Sequence, residues 1–99
     1  MYGLDAPAHC RLDMAITRSA FVRQLAMAFP TLRAEGPEAF SGHDAGSDWH
    51  IRLHPAEPTR LGRIELERWR VEVTLSAAGP DERQAWWQRF TAHFQKGGG

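Results

Sequence analysis

Residues 61–76, LGRIELERWRVEVTLS, hold the best-patterned apolar residues of the chain, and their reading decides the fold. Ile64 and Leu66 are apolar at even positions, whereas Trp69, Val71, Val73 and Leu75 are apolar at odd ones. Side chains alternate faces along a strand, so one regular strand sends these two sets to opposite faces. A register reset between Leu66 and Trp69 brings both sets to one face. A two-residue turn at Glu67-Arg68 does this by making a β-hairpin that pairs Leu66 with Trp69 and Ile64 with Val71. The same register sets Glu65 against Arg70 and Arg63 against Glu72 on the other face, two opposite-charge cross-strand pairs. The alternative is one long strand with a bulge near Glu67, which also resets parity. Glu-Arg is poor chemistry for a tight turn, which favours Asn-Gly or Asp-Gly. The two charge pairs nevertheless favour the hairpin.

Upstream, residues 48–54 alternate: Trp49, Ile51 and Leu53 face one way, His50, Arg52 and His54 the other. This is the pattern of a half-buried strand. Residues 55–60, PAEPTR, read as a connection, because proline is excluded from a central ladder. Residues 31–48 are rich in Gly, Pro, Ser and Asp and read as a long loop, with Phe40 as an anchor or a short strand.

Two helices flank these strands. Over residues 17–29, Phe21, Val22, Leu25, Ala28 and Phe29 share a face, with Thr17 as N-cap and Pro30 as terminator. Over residues 80–96, Pro80 suits the first helical position and Asp81 and Glu82 favour the dipole. Lys96 and Gly97 mark the end of that helix. Trp86, Trp87, Phe90 and Phe94 form its apolar stripe. Residues 1–13 show no period and read as a loosely ordered leader, with Met14 a natural start for the domain; residues 97–99 read as a flexible tail.

The expected fold is therefore a single α+β domain over residues 14–96, in the order α-β-β-β-α. It has an antiparallel sheet of three to four strands, with the N-terminal and C-terminal helices packed on one face. Ile64 and Leu66 are expected on that face with Trp49, Ile51, Leu53, Trp69, Val71, Val73 and Leu75.

Twelve basic and twelve acidic residues cancel, which argues against a general nucleic-acid binder. Eleven of the twelve basic residues are Arg, as a GC-rich bacterial genome produces without any functional demand. Cys10 is the single cysteine, so no internal disulfide or multi-Cys zinc site forms. With no apolar run of membrane length, no signal-peptide pattern and one cysteine, a cytoplasmic location is expected. No phosphate loop, nucleophile elbow or HExxH pair is present. No catalytic residue, metal site or cofactor is assigned.

Two functional readings remain. The first is a non-catalytic binding or adaptor domain acting through protein contacts, self-association included. Its surface candidates are Trp86 and Trp87, since four aromatics on one helix exceed what a thin sheet needs, and an open sheet edge can add a partner strand. The second is small-molecule or anion binding, possibly enzymatic, by His43, His50, Arg52 and His54 at the loop and the wet strand face. The stretch HDAGSDWH (43–50) holds four potential metal ligands, but its spacing matches no established metal motif. His50 and His54 stand roughly 13 Å apart along a strand, too far to share an ion. The adjacent His9-Cys10 pair lacks further ligands.

Overall fold

The computed structural model describes residues 6–76 and 78–98, with side chains as far as Phe94. Seven elements follow one another: β1 (His9–Ala15), α1 (Arg18–Ala28), β2 (Arg33–Gly36), β3 (Ala39–Asp44), β4 (Ser47–Leu61), β5 (Ile64–Ser76) and α2 (Pro80–Gly98). The five strands form one antiparallel sheet in the order β1-β5-β4-β3-β2. The class is α+β, but the sheet has five strands and the chain order is β-α-β-β-β-β-α, not α-β-β-β-α.

The expected turn at Glu67-Arg68 is absent. β5 runs unbroken through both residues, and the turn lies at Gly62-Arg63, closing a β4–β5 hairpin whose last pair is Leu61 with Ile64. Gly62 has φ +61° and Arg63 does not have a positive φ, the type II′ arrangement that matches strand twist and wants glycine first. The register irregularity falls on β4, between Ala56 and Thr59, opposite Glu67. The parity change in 61–76 therefore marks a change of face. Ile64 and Leu66 lie on the open face, exposed by 60% and 38%, while Val71, Val73 and Leu75 are buried. The expected pairs Glu65–Arg70 and Arg63–Glu72 are also replaced: Glu65 meets Arg60 at 3.5 Å and Arg70 meets Asp13 at 3.7 Å.

Pro55 and Pro58 are part of β4, contrary to the expected break. β3 pairs with β4 only as far as Arg52, and Leu53 N–H donates beyond it to Glu38 O at 2.8 Å. Pro55, two residues on, points the same way along the strand, past the end of β3. Its missing N–H therefore removes no ladder bond. Beyond Ala56 and Arg68, where β1 also ends, β4 and β5 continue as a two-stranded arm.

Residues 9–15 form an edge strand where a loose leader was expected; residues 1–5 lie outside those described. Cys10, Leu12 and Met14 turn toward the core and His9, Arg11 and Asp13 away from it. The preceding residues are tied to α2, since Trp87 Nε1 donates to Pro7 O (2.9 Å) and Arg83 Nε to Ala6 O (2.9 Å). At the other end α2 extends to Gly98, through the start of the expected 97–99 tail; the Lys96 side chain and Gly99 lie outside the described residues.

α1 begins as expected, with Thr17 Oγ1 accepting from Ala20 N–H at 3.2 Å. A second acceptor arrives from the sheet: the Glu67 carboxylate takes Arg18 N–H at 2.9 Å, placing negative charge at the helix N-terminus. The two helices pack on each other as well as on the sheet. Phe21 meets Phe94 at 4.9 Å, Phe29 stacks on Trp86 at 4.7 Å, and Trp49 of β4 lies beneath both Phe29 and Trp86. This aromatic layer fills one side of the sheet, and among the described residues no helix covers the other side.

Candidate functional site

The bare side is built by parity. His9, Arg11 and Asp13 of β1 share it with Arg70, Glu72 and Thr74 of β5 and His50, Arg52 and His54 of β4, because cross-strand partners point the same way. Ser41 of β3 and Glu35 of β2 border it, Ser41 Oγ donating to Glu35 Oε2 at 2.5 Å. Here lies a shallow concavity of about 450 Å³ with His50, Arg52, His54, Glu72 and Thr74 among its walls. The sequence candidates His50, Arg52 and His54 are thus brought together.

At the centre is a three-strand contact. Glu72 Oε2 accepts from His9 Nε2 and Glu72 Oε1 from His54 Nε2, both at 2.9 Å. Each imidazole approaches diagonally, His9 from the rung of Thr74 and His54 from that of Arg70. Arg52 and Arg11, which stand directly opposite Glu72, do not take its oxygens. Among the described residues, the side chains of His50 and Arg52 make no hydrogen bond or ion pair.

The Glu72 carboxyl is held down at about 2, against an ordinary 4.5, first by the His9 hydrogen bond and then by that of His54. A depressed folded-state value means that this contribution to stability is complete above pH 4.5 and is lost as pH falls toward 2. Urea midpoints of the wild type should therefore fall more steeply than those of Glu72→Gln between about pH 5 and pH 2. Parallel pH curves would show that the contact adds nothing to folding.

His43 does not join the concavity. It sits at the β3–β4 turn and binds Asp48, Nδ1 to Oδ1, at 2.5 Å. Asp44 turns to the opposite, buried side, accepting from Trp49 Nε1 (2.9 Å) and Thr31 Oγ1 (2.7 Å). The potential ligands of 43–50 are thus split between two faces. Among the described residues no three His, Cys, Asp or Glu side chains converge on a metal position. Cys10 is half-buried on the core side, and burial pushes its thiol up.

Trp86 and Trp87, expected as a contact surface, are both fully buried. Trp86 is enclosed by Phe29, Trp49 and Phe90, and Trp87 is tied to the segment before β1, which was expected to lie outside the domain. The apolar surface lies instead at the far end of the open face. Leu61, Ile64 and Leu66 share one side of the arm, since Leu61 opposes Ile64 and Thr59 opposes Leu66. Their signal was available in the parity of 61–76; His9 and Glu72 were legible as polar positions, but their meeting depends on β1 joining the sheet. Comparison with known protein families, with characterised proteins and with solved structures finds no match. No helix among the described residues is long and apolar enough to cross a membrane.

Proposed function

We propose that this chain is a small binding module that engages a protein partner through the apolar face of the β4–β5 arm. One observation carries the reading: Leu61, Ile64 and Leu66 are exposed by 60%, 60% and 38% on the same side of a two-stranded ribbon. Large apolar side chains grouped on a projecting element lose water contact only when something covers them. A lone two-stranded ribbon is marginal in water, so covering it also stabilises the arm. The edges of the arm differ. Pro55 and Pro58 occupy the β4 edge, whereas β1 pairs with β5 only up to Arg68, leaving residues 64–67 open for strand addition.

Burial of one such side chain contributes about 1.5–3 kcal/mol, so Ile64→Glu should weaken the association at least roughly tenfold without unfolding the domain. The direct measurement is photo-crosslinking in cells from a benzoylphenylalanine placed at position 64, compared with one at Met27. Met27 is equally exposed, at 65%, but stands on α1. Adducts should form from position 64 and disappear when Leu61 is also replaced by Glu. Equal yields from both positions, together with a monomer in sedimentation at every concentration, would remove the reading.

A further inference from the structure

The concavity on the open face has a property that the arm does not explain. Arg52 stands directly across from Glu72, the geometry in which a cross-strand ion pair normally forms. It is not formed; Glu72 instead turns one oxygen to His9 and the other to His54. The guanidinium is left with its five donors unclaimed among the described residues, at the wall of a concavity of about 450 Å³. His50 lies one side-chain repeat along the same strand, also without a partner, and Thr74 is directly opposite it. A planar fork beside an imidazole and a hydroxyl is a donor set for a carboxylate, sulfate or phosphate group.

We propose that this concavity binds a small oxyanion group, with Arg52 as its charged anchor and His50 and Thr74 as further donors. Glu72 and Glu35 are the negative charges on its walls and oppose the anion, so the site depends on Arg52.

Sulfate and benzoate are the probes, each titrated into the full chain and followed by backbone NMR. Benzoate tests whether an apolar body is admitted. Saturable shifts should centre on residues 50–54 and 72–74. Arg52→Gln should abolish saturation while the rest of the spectrum stays in place. Glu72→Gln should tighten binding, because it removes the opposing charge. Saturation by sulfate alone assigns the site to tetrahedral oxyanions, and saturation by benzoate alone to carboxylates. The proposal is overturned if neither probe saturates, if Arg52→Gln binds like the wild type, or if Glu72→Gln weakens binding.

Discussion

Trp86→Ala should cost the domain about 3–5 kcal/mol, a large part of the roughly 5–15 kcal/mol available to a protein of this size. Trp86 is fully buried and is the hub of the aromatic layer. It stacks on Phe29 at 4.7 Å and on Phe90 at 5.4 Å, meets Trp87 edge-on at 5.0 Å, and reaches Trp49 of β4 at 6.3 Å. Removing it opens a cavity between α1, α2 and the sheet that no single neighbour can fill. Trp86→Phe provides the control. The indole Nε1 has no hydrogen-bond partner among the described residues, so the phenyl ring loses volume but also removes an unsatisfied buried donor. Chemical denaturation should place Trp86→Phe well above Trp86→Ala. Equal losses would mean that ring stacking at this position contributes little.

Asp44→Ala should destabilise by about 2–4 kcal/mol, although Asp44 is only the last residue of β3, next to a turn. Its carboxylate is nearly buried and takes the indole N–H of Trp49 at 2.9 Å and the Thr31 hydroxyl at 2.7 Å; Arg89 of α2 stands at 4.0 Å. Without it, a fully buried Trp49 keeps a donor with no acceptor. Asp44 also opens the hairpin in which Ala45 (φ 54°) and Gly46 (φ 76°) both take positive φ, the type I′ arrangement. Asp44→Asn preserves an acceptor for the indole and should recover about half of the loss. Tryptophan fluorescence with urea titration reads both variants; an Ala variant as stable as the wild type would show that Trp49 does not depend on this bond.

The core was largely legible from local patterns. Phe21, Leu25 and Phe29 at helical spacing, Trp49, Ile51 and Leu53 at strand spacing, and Val71, Val73 and Leu75 all face one interior. Ile64 and Leu66 were misplaced by the assumption that an apolar residue in a strand is buried. Burial follows from what covers a face, and among the described residues nothing covers the arm. Residues 9–15, taken with 1–8 as aperiodic, alternate as cleanly as 48–54; a short strand gives no local sign of whether a partner edge awaits it. Missing β1 and the segment before it hid one end of the Glu72 contact and the carbonyl of Pro7 that holds Trp87. Pro55 and Pro58 misled for a related reason: proline breaks a ladder only where a neighbouring strand needs its N–H, and β3 stops short of them.

Residues 61–76 divide the two kinds of information. The sequence alone determined that this stretch carries two apolar sets of opposite parity, and that a strand must send them to opposite faces unless something intervenes. It also determined the α+β class, the two helices and most of their buried stripes. Only the tertiary structure decided that nothing intervenes, so that Val71, Val73 and Leu75 enter the core while Ile64 and Leu66 meet water. It likewise decided that Glu72 turns to two histidines from different strands and leaves Arg52 free. Periodicity is a property of the local backbone and can be read along the chain. Which face is covered, and which charge finds which partner, depends on strands brought together from distant positions.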